Sequence, residues 1–326
     1  MAASADPVIK AHKLVKRFGS FTAVDAIDLS VMPGQCFGLL GPNGAGKSTT
    51  VKMITGLSPI TGGTLEVFGL SIVTDARRIK AHLGVVAQDD NLDPELTVLE
   101  NLIVYAGYFG IPKKEARQRA EELLSFMELE GKAGTKVDHL SGGMKRRLTI
   151  ARALINKPKI IILDEPTTGL DPHARHIVWQ KIRQLKENGT TVLLTTHYLE
   201  EASQLCDRLV FMHNGKIIDE GQPAALVSAH IGSHVLELAG GDFTAICRRL
   251  PGTNLINGFK LFGDTLYIYS NHGPQLQEWI KGLSIDFSYQ LLRPATLEDV
   301  FLKLTGRSLE DDQVPSLEEK EDIPCA

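Results

Sequence analysis

Residues 41–48 read GPNGAGKS, a fit to G-x-x-x-x-G-K-[ST], between the apolar run Cys36 to Leu40 and a helix-compatible stretch. Residues of these types at this spacing make a cradle for nucleotide phosphates. Gly41, Gly44 and Gly46 let the backbone approach the anion, Pro42, Asn43 and Ala45 complete the loop, and the following helix presents its positive end. Lys47 is placed to reach the β- and γ-phosphates, Ser48 to bind Mg²⁺, and Thr49 to continue the contact into the helix. A second run, KIIILDEPT at 159–167, holds four apolar residues that end in two carboxylates. Such a run suits a strand buried on both faces. At its carboxyl end Asp164 can hold Mg²⁺ through water, while Glu165 points where an attacking water would lie.

A third segment, LSGGM at 140–144, opens a helix whose Met144, Leu148, Ala151 and Ile155 form one apolar stripe. Ser141, Gly142 and Gly143 make a helix start whose backbone can approach another anion. The chain's own glycine loop already serves one set of phosphates, so the natural occupant is a second molecule's ATP. Here the chain resembles the ATP-binding cassette (ABC) proteins, whose nucleotide sites lie between the phosphate loop of one subunit and the LSGG segment of the other. Met144 stands where glutamine is commoner, as in one exporter branch.

The resemblance covers about the first 228 residues, with the family's remaining elements in the family's order. It implies that Phe18 stacks on adenine, in place of the more frequent Tyr. It implies that Gln88, in VVAQDD, touches Mg²⁺ and water and senses a membrane subunit. Asp171, in TTGLDP, matches the aspartate that crosses between subunits; it is also a good helix N-cap ahead of Pro172, and both readings can hold. His197 closes TVLLTTH and matches the switch histidine at the γ-phosphate. His173 and His176 have a chelating spacing but no third ligand, and read as surface residues.

The implied fold is α/β: a P-loop NTPase ABC cassette with a RecA-like core, an antiparallel β subdomain and a helical subdomain at about 88–157. That insertion shows in KKEARQRAEELLSFMEL, where Ala116, Ala120, Leu123, Leu124 and Met127 keep near-helical spacing. Tyr105, Tyr108 and Phe109 follow the Gln88 loop; most of these rings are expected in the core, and an exposed one would suit a docking groove for a membrane subunit. The cassette is expected to end at residue 228. Residues 229–306 then form a small α+β domain, with HVLELAG and DTLYIYS as β-like pieces. In LLRPATLEDVFLKLTG, Thr296 can cap a helix, Leu297, Val300, Phe301 and Leu304 share a face, and Gly306 can stop it. This ending resembles the drug and lipo-oligosaccharide exporter branch, including the daunorubicin-resistance and nodulation-factor export ATPases. An acidic tail, 307–326, is expected to be mobile.

At 326 residues and a net charge of −4, the chain has room for two domains and no overall basic signal, so no nucleic acid partner is expected. Lys145, Arg146 and Arg147 are expected beside phosphates or on a solvated helix face. The four cysteines lack metal-like spacing and suit reduced thiols in the cytosol. No stretch reaches the roughly 20 apolar residues of a membrane span, so separate integral membrane permeases, of ABC-2 type by the resemblance, must form any pathway. One phosphate loop and one LSGGM per chain imply two cassettes per working unit, with a homodimer favoured over pairing with a related chain, peripheral on the cytoplasmic face of the inner membrane. The reading is an ATP hydrolase, with ATP and Mg²⁺ as cofactors, powering export of a drug-like, lipid or oligosaccharide compound. A soluble ABC ATPase acting on ribosomes or nucleic acid is the alternative; a nucleotide kinase would need an acceptor lid that the sequence lacks.

Overall fold

The computed structural model describes residues 6–283 and 286–306; the expected acidic tail lies outside them. The chain divides into one unit ending at Glu220 and another beginning at Gly221. The boundary expected at residue 228 falls inside a helix, Pro223–His230.

The first unit opens with β1 (Ile9–Phe18) and β2 (Phe21–Val31), then β3 (Cys36–Leu40) and α1 (Lys47–Ile54). Next come β4 (Gly62–Val67), β5 (Leu70–Ser71), α2 (Ala76–Lys80) and β6 (Leu83–Val86). Three longer helices follow, α3 (Val98–Gly107), α4 (Lys113–Phe126) and α5 (Gly142–Leu154). The unit ends with β7 (Ile160–Asp164), α6 (Pro172–Glu187), β8 (Thr191–Thr196), α7 (Leu199–Leu205), β9 (Arg208–His213) and β10 (Lys216–Gly221).

Two sheets result. β2-β1-β4-β5 is antiparallel, and its inward residues Ile9, Leu14, Val24 and Leu65 share one core with Phe37 of β3 and Val51 and Ile54 of α1. The second sheet runs β10-β9-β3-β8-β7-β6, with β9, β3, β8, β7 and β6 pairing in parallel. Every residue of β3, β7 and β8 is buried. A parallel sheet covered on both faces, here on one of them by the antiparallel sheet together with α1, buries its strands throughout, which is why β3 and Ile160 to Leu163 of β7 read as apolar runs and β8 as a mix of apolar and β-branched residues.

The helical insertion is built as its periodicity demands. A capping box between Thr97 and Glu100 starts α3. In α4 the stripe Ala116, Ala120 and Leu124 is buried, with Met127 just beyond, and α4 packs on α3 and α5. A fully buried leucine such as Leu102, Leu124 or Leu148 contributes about 1.5–3 kcal/mol relative to leaving it in water.

The second unit holds α8 (Pro223–His230), β11 (His234–Ala239), α9 (Thr244–Arg249), β12 (Gly258–Phe262), β13 (Thr265–Ser270), α10 (Gly273–Lys281), β14 (Tyr289–Pro294) and α11 (Leu297–Thr305). Its sheet order, β12-β13-β11-β14 with antiparallel neighbours, makes the β11-to-β14 run a split β-α-β motif. Leu236, Leu238, Leu266 and Ile268 cluster with Ile246 of α9 and Leu276 and Ile280 of α10. The expected ends of α11 are present: Thr296 and Asp299 form a capping box, and Gly306 stops the helix at φ 75°.

Candidate active site

Register places the chemistry. Leu40 at the end of β3 pairs with Thr196 of β8, Asp164 of β7 pairs with Thr195, and Val86 of β6 pairs with Leu163. The glycine loop, His197, the Asp164–Glu165 pair and Gln88 therefore leave the carboxyl ends of four consecutive strands. Ligands of open parallel sheets bind at that edge.

The loop is tight because its glycines have no alternative. A Cβ on Gly41 would lie 2.2 Å from Met212 O, and one on Gly46, whose φ is 102°, would lie 2.6 Å from Ala23 O. Gly46 begins α1 without a side-chain cap, so among the described residues it leaves the first-turn amides of Ser48 and Thr49 open to an outside acceptor. Lys47 is buried at the loop's centre, its Nζ donating to Gly41 O (2.6 Å) and Pro42 O (3.0 Å). From behind, the β9–β10 hairpin tip clasps the loop. Gly215 N donates to Ala45 O (3.2 Å), and Asp25 N of β2 donates to Gly215 O (2.8 Å).

Phe18 and Phe21 face each other across the β1–β2 turn and are 54% and 64% exposed. They flank a cleft of about 260 Å³ lined by residues 42–49, Gln88 and Glu165. Phe18 is thus available to a base rather than used in the core. Phe21 was not singled out from sequence, although its place across a two-residue turn from Phe18 was a usable signal.

Asp164 Oδ1 accepts from Ser48 Oγ (3.3 Å) and from Thr195 Oγ1. These hard oxygen donors fit Mg²⁺, which keeps few protein ligands and takes the rest from phosphate and water. No trio of His, Cys, Asp or Glu forms a metal cage among the described residues.

Glu165 follows β7 with φ 47°, a left-handed backbone rare outside glycine. Its Oε1 lies 3.2 Å from His197 Nδ1 and 4.0 Å from Lys47 Nζ, and its Oε2 accepts from Thr168 Oγ1 (3.3 Å). The imidazole nitrogen is within reach but poorly aligned for a directed hydrogen bond. The neighbouring His197, then Lys47 and Thr168, hold the Glu165 carboxyl below its usual range against the opposing effect of burial. It is a carboxylate at neutral pH.

Ser141 caps α5, accepting from Met144 N (3.3 Å), and Asp171 caps α6, accepting from Ala174 N (2.9 Å) with Pro172 at the first helical position. The two starts abut, since a Cβ on Gly143 would lie 2.7 Å from that of Ala174. Ser141, Gly142, Gly143 and Asp171 do not line the cleft that holds the glycine loop. His173 and His176 are exposed.

Two expectations are corrected. Of the three rings expected mostly in the core, none is fully buried: Tyr105 and Phe109 are half-buried and Tyr108 is exposed, because α3 turns them to its outer side. Arg146 is neither beside the phosphate loop nor solvated; it is buried and donates to backbone carbonyls that follow β6 and β7. Helical spacing from Met144 and Leu148 put it off the apolar stripe, but not which buried acceptors it would find. Thr195 and Glu201 were also missed. The Glu201 carboxylate, wholly buried, accepts from Thr167 Oγ1 (2.7 Å) and Trp179 Nε1 (2.9 Å), and burial pushes its pKa up.

Residues 24–168 match the family "ABC transporter", and residues 249–306 match "Nodulation factor export protein NodI, C-terminal domain". The Nod factor export ATP-binding protein I of Paraburkholderia xenovorans is 47% identical over 306 residues, 94% of this chain and 99% of the relative. The chain belongs to the ATP-binding subunits of ABC transporters. This ABC ATPase is also 48% identical to the Nod factor export ATP-binding protein I of Mesorhizobium japonicum, over 91% of its own length and 86% of the relative's. Among solved structures, it matches a dimeric ATP-binding cassette in a post-hydrolysis state bound to ADP and phosphate, with a TM-score of 0.61 and 31% identity. That match covers 66% of this chain and 98% of the other. An ATP-binding subunit of an ABC transporter matches with a TM-score of 0.62 at 30% identity, over 68% and 92% of the two chains. The cassette fold and the C-terminal domain expected from the motifs are both present in this ABC ATPase. As a nucleotide-binding, ATP-hydrolysing subunit it works with membrane-spanning partners; no described helix is long and apolar enough to cross a membrane.

Proposed function

We propose that this ABC ATPase, as a homodimer, powers export of a lipid- or oligosaccharide-bearing compound through ABC-2-type permeases, from the cytoplasmic face of the inner membrane. Its likeness to Nod factor export ATP-binding proteins over nearly the whole chain supports a lipo-oligosaccharide cargo. The observation that carries the mechanism is that the phosphate loop, Gln88, Glu165 and His197 share one edge while Ser141–Gly143 lie outside the cleft. A single cassette can hold ATP yet lacks the opposite wall, which a second copy's LSGGM supplies.

In that dimer Phe18 packs on the base, and Lys47 with the loop amides neutralises the β- and γ-phosphates. Ser48, Asp164 and Gln88 would hold Mg²⁺, which would supply charge neutralisation at the phosphate oxygens. Glu165 orients and polarises water, and His197 stands against the γ-phosphate. Asp171 lies beside LSGGM at the subunit boundary. ATP interacts with both copies only when they close, so its differential affinity drives closure, and hydrolysis releases it.

A cleft of about 710 Å³ lies among Leu57, Lys80, Leu83, Tyr105, Tyr108 and Phe109, with Leu57 and Tyr108 70% and 80% exposed. An apolar, aromatic hollow of this kind suits a cytoplasmic helix of the permease. Tagged Glu165→Gln chain with Mg-ATP, pulled from solubilised membranes, is expected to bring down a stoichiometric polytopic protein. Adding Leu57→Asp and Tyr108→Ala should abolish that capture while ATP binding persists. Recovery of soluble partners or ribosomes alone would move the function to the soluble cassettes.

Because His197 is the largest influence holding the Glu165 pKa down, His197→Ala should raise it. The ionised base is present above that pKa and is lost as pH falls through it. The acid limb of residual kcat/KM against pH, which reports the free enzyme, is therefore expected to move to higher pH. An unmoved limb would separate the two side chains.

A further inference from the structure

All five N–H groups of the Arg146 guanidinium, only 4% exposed, have backbone carbonyls within reach. Nε donates to Pro166 O (2.8 Å), and Nη2 to Asp164 O (2.8 Å) and Glu165 O (3.0 Å). Nη1 donates to Ala87 O (2.7 Å) and Gln88 O (3.4 Å). These carbonyls belong to the two segments that leave β7 and β6 carrying the site's carboxylates and Gln88. Past the end of a strand a carbonyl has lost its ladder partner, and a buried one must find another. A rigid planar fork with five donors can serve all five carbonyls of the two segments together, whereas a lysine ammonium offers only three.

Three details give the arrangement a direction. The carbonyls before, at and after Glu165 are the three that Arg146 grips on that side, and Glu165 holds φ 47°, a conformation that persists only where its surroundings impose it. On the other side, Thr149 Oγ1 and Arg152 Nη2, one and two turns further along α5, donate to Asp90 Oδ1 (3.4 Å) and Asp90 O (2.9 Å). The same helix starts at Ser141, about 7.5 Å from Arg146 along the axis at 1.5 Å per residue.

We infer that Arg146 is a positioning residue that couples the LSGGM end of α5 to the placement of Glu165 and Gln88 within the same cassette. When nucleotide held by a second copy engages Ser141–Gly143, α5 moves as a rigid rod. Arg146 carries that displacement to the base and to the Gln88 loop, so a cassette's own hydrolytic geometry depends on whether its LSGGM is in use. The inference rests on the reading of Glu165 as the group that polarises water.

The test uses the full chain with Arg146→Lys and Arg146→Gln, each alone and combined with Glu165→Gln. Steady-state and single-turnover ATP hydrolysis, binding of a fluorescent ATP analogue and a thermal melt are recorded for each. Arg146→Lys should lower kcat by about tenfold or more while nucleotide affinity stays within about twofold, and should lower it little further in the Glu165→Gln background, since both act through one group. Arg146→Gln, which keeps two N–H donors without the charge, carries the same test if the lysine variant melts early. An unchanged kcat, an equal loss in both backgrounds, or joint loss of affinity and turnover would each overturn the coupling. If Glu165→Gln itself kept wild-type turnover, the Glu165 reading would fall. If it lost turnover beside an unaffected Arg146→Lys, only the present inference would.

Discussion

Glu165→Gln is expected to bind Mg-ATP and to accumulate as a closed dimer, while kcat falls by roughly 10²-fold or more, the scale of a lost general base. The substitution keeps side-chain length and leaves the φ 47° backbone, held by main-chain contacts, undisturbed. What disappears is a negative charge 4.0 Å from Lys47 and 3.2 Å from His197. Lys47, His197 and the loop amides then face the phosphates without a competing carboxylate, so nucleotide retention should not weaken. The low pKa of Glu165 fits a group that orients and polarises water more than one that fully removes its proton. Size-exclusion chromatography with ATP and a phosphate-release assay check the two halves separately. Wild-type turnover in a clean preparation would remove Glu165 from the chemistry.

Lys47→Ala should have the opposite signature, losing nucleotide rather than turnover alone. The ammonium is buried and directed by Gly41 O and Pro42 O over the loop where phosphates are expected. Removing one partner of a buried, hydrogen-bonded charge pair costs about 2–5 kcal/mol, or roughly 30-fold to a few thousand-fold in affinity. Titration calorimetry with ATP measures it directly, and a Lys47→Arg variant together with a thermal melt separates lost charge from lost fold. Unchanged ATP affinity in Lys47→Ala would mean that the glycine loop is not the phosphate site.

Much of this was legible in the sequence because the chemistry sits where local rules are strongest. A glycine loop after a buried strand, a carboxylate pair closing another, and a histidine closing a third are visible one at a time. Their order along the edge, β3-β8-β7-β6, is not, because crossover connections place β8 between β3 and β7 and no local residue records it. The apolar stripe of α4 was readable from its period, as were Thr296 and Gly306 at the ends of α11. Arg146 was misread for a definite reason. Charge in a helix predicts solvent, and only the tertiary fold reveals carbonyls stripped of their ladder partners around it. Edge strands β12 and β14 were passed over since their half-exposed residues show no clean alternation.

The hairpin tip at Gly215 has a consequence for how spent nucleotide departs. Through Gly215 the tip joins Ala45 of the phosphate loop to Asp25 of β2, and the same β2 carries Phe21, four residues earlier, beside Phe18. The aromatic ledge and the phosphate loop are thus tied to one another through the hairpin tip. ADP release is then expected to open the cleft on its facing side, where Gln88 stands and where the proposed second copy would close. Product escape is therefore a matter of that facing side, and a ligand bridging the cleft would stall the machine without touching a catalytic group.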